Sequence, residues 1–311
     1  MLVNILKIFE KDFFLKKKID QKFKSLFPDT FVGISLYSSF LKVFNYFTYN
    51  QRKNIFKKSF NNIPKNHSIS DQKGYKIIQL KKVSTKKILN KINFSKVINH
   101  KSPSKKNFLK IYPVDIFSED FVELKSLILS EEFIMPIINY LGSVPLLWNC
   151  ALWISPNQTF ETGRSQEFHL DNEDVKQIKC FVPLEDITKD SGPLNIIDAE
   201  NSKDIFNKLQ RTKKVNYRSQ KVSDQEMYKF FNKKDKITLL AKKGDVIMLD
   251  TSRCYHYGSR PGKKPRKLLF FQFLTINSKK LSIFQSFQNK EPNNIEENIF
   301  LFHKLNRHTT S

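Results

Sequence analysis

Cysteine, alanine and glycine are all scarce in this 311-residue chain, at three, three and eight residues. The three cysteines, Cys150, Cys180 and Cys254, lie far apart, form no C-x-x-C pair and total an odd number. That arithmetic argues against a disulfide framework or a zinc ribbon and makes a reducing, cytoplasmic setting the expectation. No G-x-x-x-x-G-K-[ST], G-x-S-x-G or G-x-G-x-x-G occurs, which removes the P-loop, the hydrolase nucleophile elbow and the dinucleotide-binding turn. There is no internal repeat. Nor is there an apolar run long enough to cross a bilayer, which takes about 18 clean residues. The best stretch, "FVGISLYSSFLKVFNYFTY", contains Lys42 and several hydroxyl side chains. It is expected as an amphipathic helix, packed on the body or lying on a membrane surface. Glu10 and Asp12 interrupt the start of the chain, so no signal peptide is expected there.

What the chain has in excess is positive charge, +24 in all. Residues 1–110 carry 25 Lys/Arg against 5 Asp/Glu, whereas residues 111–200 carry 5 against 16. A basic N-terminal part could attract an anionic lipid surface or an acidic partner. The plainer explanation is an AT-biased coding sequence, rich in Lys, Asn, Ile and Phe and poor in Ala, which raises lysine without function. Nucleic acid is not an expected partner. With 40% hydrophobic residues and 29 Phe, the composition supports a substantial core.

Residues 1–66 read as a basic helical extension, and 67–311 as one domain. Within that domain "GYKIIQL" looks like a short strand, and "SEDFVELKSLILSEEFIMPIINYLG" has helical spacing closed by Gly142. From residue 144 the texture becomes short β-rich runs: "PLLWNCALWIS", "KQIKCFVPLED", "GPLNIID", "KITLLAKKGDVIMLD", "CYHYGS" and "RKLLFFQFLTI". Bounded by Gly, Pro, Asp and Ser, they point to a sandwich or barrel. One basic, largely helical insertion, 203–235, breaks the series, and "NNIEENIFLFHKLNRH" reads as a last helix.

Within "SQEFHLD", His169 and Asp171 are two apart. In an extended chain they share a face and offer one imidazole and one carboxylate together. A second histidine would complete a two-histidine, one-carboxylate set for non-haem Fe(II). Of the six histidines only His169 and His256 lie in the β-rich part. Ten residues beyond His256, Arg266 opens an apolar strand, where its planar fork suits bidentate capture of a carboxylate.

Residues 111–277 resemble the phytanoyl-CoA dioxygenase family of Fe(II)/2-oxoglutarate-dependent oxygenases. The resemblance is carried by "ILSEEFIMPIINYLG", "SQEFHLD", "IKCFVPLEDI", "KDSGPLNIID", "GDVIMLD" and "HYGSRPGKKPRK". It implies a mainly β fold with flanking α: a double-stranded β-helix (jelly-roll, cupin-like) core with helices packed outside. It implies Fe(II) held by His169, Asp171 and His256, and 2-oxoglutarate bound through Arg266, with Lys179 and Ser259 as further contacts. The implied reaction uses O2, converts 2-oxoglutarate to succinate and oxidises a C–H bond of a small-molecule or lipid-like substrate. An aspartate at 171 favours hydroxylation over halogenation.

Further candidates stay open between two roles. Trp153 is either core or pocket lining, and Gln166 and Asn172 are either substrate contacts or strand-edge caps. Of Tyr255 and Tyr257, one is expected inward and one outward. The insertion is either a solvated decoration or a lid. If the substrate is anionic, Arg164, Arg211 and Lys213 are candidate contacts. The alternative function is a non-catalytic jelly-roll scaffold acting through its basic N-terminus at an anionic partner or membrane surface.

Overall fold

The computed structural model describes residues 13–59, 68–80, 85–92, 98, 106–281, 295–296 and 298–300. All but Ser68 of the turn expected at "FNNIPKNHS" (60–68), most of the polar connector expected at "NHKSPSKKN" (99–107), the first twelve residues and the end of the last helix lie outside the described residues, as do His67, His100, His303 and His308.

Three helices come first: α1 (Phe13–Ser25), α2 (Phe31–Phe44) and α3 (Tyr46–Ser59). Next are β1 (Tyr75–Ile78), α4 (Thr85–Lys91), β2 (Lys110–Pro113), α5 (Val122–Leu129), α6 (Glu131–Leu141) and β3 (Leu146–Ser155). The stretch expected as one helix before Gly142 is thus two. Ser130 has extended backbone at the junction, and Gly142, at φ 71°, closes the second. Thereafter come β4 (Ile178–Pro183), β5 (Leu194–Ile196), α7 (Ala199–Arg211), α8 (Asp224–Met227), β6 (Ile237–Leu239), β7 (Val246–Leu249), β8 (His256–Tyr257) and β9 (Arg266–Leu274).

Two antiparallel sheets result, in the orders β1-β7-β4-β9-β3-β2 and β6-β5-β8. Isolated bridges Phe168–Val222 and His169–His256 extend the smaller sheet past β8. From β3 onward the chain visits the large sheet, the 168–169 bridge, β4, then β5 and β6 in the small sheet, and β7, β8 and β9 in alternation. This is jelly-roll topology, as expected.

Strand β9 reads as an unbroken apolar run because both its faces are covered. Leu269, Phe271 and Phe273 pack with Leu124, Phe133 and Ile137 of α5 and α6. Leu268 and Phe270 turn the other way, into the sandwich, toward Leu194 and Leu239 of the small sheet. All three cysteines are buried and free, and burial raises each thiol. Gly192 ends the turn before β5 at φ 56°, and a Cβ there would lie 2.6 Å from both Arg260 O and Asn157 Oδ1, so only glycine fits.

The N-terminal helices are docked against the body. Arg52, fully buried, donates to Val144 O (3.0 Å) and Asn298 O (3.0 Å), and Tyr37 donates to Leu281 O (3.3 Å). Along α2, Ile34, Tyr37 and Leu41 are buried, whereas Val32 and Val43 stay 69% and 73% exposed, followed by Phe47 at 85%. One face packs and the other presents apolar side chains outward.

The insertion is less helical than expected, since α7 begins at Ala199 and only the short α8 follows it. It is also no solvated decoration. Ile205, Phe206, Leu209, Val222 and Met227 form a core cluster with Phe168, Leu170, Tyr255 and Tyr257. Both tyrosines are therefore inside. Tyr257 is stacked under Arg260, whose guanidinium carbon lies 3.4 Å from the ring centroid.

Two acids, Asp174 and Asp250, are buried. Burial pushes Asp174 up to about 7, against hydrogen bonds from Thr275 N and Oγ1 (both 2.8 Å). Burial likewise pushes Asp250 up to about 6, against the 2.7 Å hydrogen bond from Tyr140. Folded carboxyls of this kind keep protons that the unfolded chain has already lost. Their contribution is intact below the unfolded value near 4 and is lost as pH rises through 6 and 7. These two acids therefore contribute a lower unfolding temperature at pH 8 than at pH 5, a difference that His169 and His256, held neutral by burial, oppose. Asp174→Asn should remove part of that difference, on the order of 2 kcal/mol, and an unchanged pH profile would contradict this.

Candidate metal centre

His169 and His256 come together by main-chain pairing. His256 N donates to His169 O (3.0 Å) and His169 N to His256 O (3.2 Å), which sets the rings 4.3 Å apart. Asp171 N donates to Thr251 O (2.8 Å), holding the carboxylate on the same side. Each imidazole has its Nδ1 2.9 Å from a main-chain oxygen, of Glu167 for His169 and of Cys254 for His256. A carbonyl can only accept, so Nδ1 carries the proton and Nε2 keeps its lone pair.

Those Nε2 atoms face Asp171: His169 at 3.9 Å from Oδ1 and His256 at 3.7 Å from Oδ2. One ligand atom from each of the three side chains lies within 4.8 Å of the others, and no other such group of three His, Cys, Asp or Glu occurs among the described residues. A divalent ion bonded at about 2.1 Å to each would fit between them. The protonation states suit it. Burial lowers both histidines, so they are neutral at ordinary pH. Burial would raise Asp171, but the Lys179 ammonium, by its charge and its hydrogen bond, outweighs it and holds the carboxyl well below its usual range.

Lys179 lines the same cavity and reaches this carboxylate. Its Nζ lies 2.6 Å from Asp171 Oδ2 and 3.9 Å from Glu173 Oε1. Burial opposes its charge, yet the two carboxylates raise its pKa.

The cluster opens on a cavity of about 370 Å³ between the sheets, a volume suited to a small molecule. Arg266 lines the same cavity. It is buried, with Nη2 2.8 Å from Ser259 Oγ and 3.5 Å from Ser155 Oγ, while Ser155 and Ser259 are themselves 2.8 Å apart. Its Nε has no partner among the described residues, and it pairs with no carboxylate there. Burial brings its pKa down to about 10, so it stays charged. Gly258 leaves the approach open: a Cβ there would lie 3.5 Å from the Arg266 guanidinium.

The remaining sequence candidates divide. Trp153 lines the cavity and stacks on Phe270 at 4.0 Å, so it is both core and wall. Arg164 lines it too, 3.7 Å from Glu161. Gln166 does not. It is buried, accepts from Glu161 N (2.7 Å) and donates to Thr159 O and Ser259 O, tying the loop to the Ser259 segment. Asn172 also lies outside the lining and donates to Asp29 Oδ2 (2.8 Å). Arg211 and Lys213, at the end of α7, are exposed and away from the cavity.

Four participants escaped sequence reasoning: Ser155, Lys106, Lys221 and Asp29. Ser155 has a signal, since the register pairs it directly with Arg266. Asp29, between α1 and α2, is the least expected. Its Oδ2 accepts from Asn172, next to Asp171, and from Ser219 Oγ (2.8 Å), while its carbonyl accepts from Arg218 N (2.7 Å). Arg218, fully buried, lies 4.6 Å over the Phe31 ring. The N-terminal region thus clamps the loop that carries Asp171. Asp29→Ala is expected to lower metal affinity several-fold in the full chain, read by metal titration, while metal at saturation restores the binding stoichiometry. Unchanged affinity would show that the clamp is inert.

No protein-family model matches this sequence, and no curated protein matches it. Solved structures do. HygX from Streptomyces hygroscopicus, with nickel and 2-oxoglutarate bound, is 14% identical, with a TM-score of 0.45 over 66% of this chain and 84% of its own. The non-haem α-ketoglutarate-dependent epimerase SnoN from nogalamycin biosynthesis is 11% identical, with a TM-score of 0.45 over 71% and 88%. EctD from S. alaskensis, with 2-oxoglutarate and 5-hydroxyectoine, is 13% identical, with a TM-score of 0.45 over 69% and 79%.

Proposed function

We propose that this chain is an Fe(II)- and 2-oxoglutarate-dependent dioxygenase that oxidises a C–H bond of a small molecule. One observation carries the reading. Two neutral imidazoles and one carboxylate share a single cavity with a buried arginine that no acid among the described residues compensates. A buried cation without a counter-charge is costly, and a bound carboxylate would relieve it.

His169, Asp171 and His256 would hold the ion on one face, leaving its other positions toward the cavity. When bound, Fe(II) supplies the redox chemistry that couples decarboxylation of 2-oxoglutarate by O2 to oxidation of the substrate. Arg266 would receive the distal carboxylate, and Ser259 and Ser155 set the angle of its guanidinium. Lys179 occupies Asp171 Oδ2 and so leaves Oδ1 for the ion. Trp153, Phe181 and Leu268 give the cavity an apolar wall that keeps water from the reacting centre.

Anaerobic addition of Fe(II) and 2-oxoglutarate to the full chain should produce a weak visible charge-transfer band. Its absence overturns the reading.

A second reading, non-catalytic docking on an anionic membrane surface, is favoured by the outward apolar stripe of Val32, Leu36, Val43 and Phe47 beside the basic N-terminal sequence. No helix among the described residues is long and apolar enough to cross a membrane. Co-sedimentation with anionic but not neutral vesicles, lost on Val43→Asp, would support it.

A further inference from the structure

Five cationic side chains line the cavity: Lys106, Arg164, Lys179, Lys221 and Arg266. Among the described residues only two carboxylates do, Asp171 and Glu173. Both carboxylates are committed to one place. Lys179 takes Asp171 at 2.6 Å and lies 3.9 Å from Glu173, which also accepts from Gln177 (3.1 Å). Glu161, 3.7 Å from Arg164, offsets one of the three excess positive charges; the other two do not disappear when the site is loaded, because a divalent cation and the doubly negative 2-oxoglutarate cancel one another.

Three of the cations belong neither to the metal cluster nor to the Arg266 locus. Lys106 precedes β2, Arg164 lies in the loop after β3, and Lys221 comes from the insertion between β5 and β6. Distant segments have brought like charges together. Lys106 and Arg164 repel one another electrostatically, as do Lys106 and Lys221. Burial increases inward, from the exposed Arg164 through the half-buried Lys106, Lys221 and Lys179 to the buried Arg266. Lys221 makes no hydrogen bond or ion pair with any described residue, although Asp171 and Glu173 attract it from further off. Burial, reinforced by Lys106 and Lys179, brings its pKa down to about 8. Holding like charges together in a half-buried wall costs stability, and a bound anion removes that cost.

We propose that the cavity takes a substrate bearing an oxyanion, a phosphate ester or a carboxylate, received by Lys106, Lys221 and Arg164 at a locus separate from Arg266. This deepens the dioxygenase reading and rests on it for the reaction, while the oxyanion locus stands on its own lining residues. Two lysines on separate segments suit such a group, each acting as a point charge with three donors. The apolar wall of Trp153, Phe181 and Leu268 would then face the uncharged part of the same molecule. The insertion, through Lys221, becomes a substrate-binding element.

Calorimetric titration of the full-length chain with inorganic phosphate, and separately with acetate, at ionic strength matched by sodium chloride, tests this. Wild type and Arg266→Gln should both bind one of the two anions saturably, and which one identifies the group. The Lys106→Gln/Lys221→Gln double variant should bind it at least tenfold more weakly, and Lys221→Arg, which keeps the charge, should not. The proposal is overturned if neither anion binds wild type, if the double variant binds as wild type does, or if Arg266→Gln alone abolishes binding. Titration of 2-oxoglutarate into the same proteins keeps the two claims apart. Lysine-dependent anion binding without 2-oxoglutarate binding supports this locus while removing the dioxygenase reading; the reverse pattern overturns only the locus.

Discussion

Replacing Asp171 with alanine is expected to lower affinity for a divalent ion at least 100-fold while leaving the fold in place. Three effects add. The change removes the only anionic member of the cluster, which both Nε2 atoms face at 3.7–3.9 Å. It frees the Lys179 ammonium, now 2.6 Å from the lost carboxylate, to repel an incoming cation. It leaves two neutral imidazoles as the whole donor set, and loss of even a supporting partner commonly weakens metal sites 10- to 100-fold. Asp171→Asn should fall between, because it keeps an oxygen donor but no charge. The measurement is titration of the full chain with Fe(II) under anaerobic conditions, alongside thermal unfolding. Metal affinity unchanged in Asp171→Ala would remove the cluster as the metal site.

Arg266→Gln should raise the 2-oxoglutarate concentration needed for half-saturation about 100-fold or more, with metal binding intact. The arginine is buried and pairs with no acid among the described residues, so a dicarboxylate gains both charge neutralisation and two parallel hydrogen bonds. Charged hydrogen bonds of this kind contribute about 1.5–3 kcal/mol each. Arg266→Lys should recover only part of the affinity. It restores charge, but not the fork that Ser259 and Ser155 hold in place. Binding is followed directly by calorimetry, so the outcome does not depend on turnover. Equal 2-oxoglutarate affinity in wild type and Arg266→Gln would show that the carboxylate is received elsewhere.

Legibility in the sequence followed from how local each feature is. His169 and Asp171 stand two apart in an extended segment, so their shared face is a property of the backbone alone. The β-rich runs from residue 144 correspond to β3 through β9, because alternating or continuous apolar patterns bounded by Gly, Pro and Asp report strand burial directly. Strand β2 went unseen: "KIYP" is four residues long and ends on a proline, and only its pairing with β3 makes it a strand. The insertion looked helical because of its charge and spacing. Yet from residue 212 to 223 it is held by the bridge to Phe168 and by Arg218, neither of which has a local pattern. Lys221 was one lysine among many in a chain of net charge +24.

Beyond the jelly roll that the family resemblance implied, the sequence by itself determined a sandwich or barrel of short strands, the pairing of one imidazole with one carboxylate, and the presence of a second histidine and an arginine in the β-rich part. Those depend on residue type, period and order along the chain. Only the tertiary structure decided that Lys179 belongs to Asp171, that Ser155 and Ser259 aim Arg266, and that Asp29 of the N-terminal region clamps the loop beside Asp171. It alone decided that Lys106, Arg164 and Lys221 meet at one cavity. The reason is the range of the forces. Strand period is set by neighbouring residues, whereas ion pairs, hydrogen bonds and cavity walls form between side chains far apart along the chain, 190 positions for Asp29 and Ser219, which meet only once the two sheets and the N-terminal helices have packed.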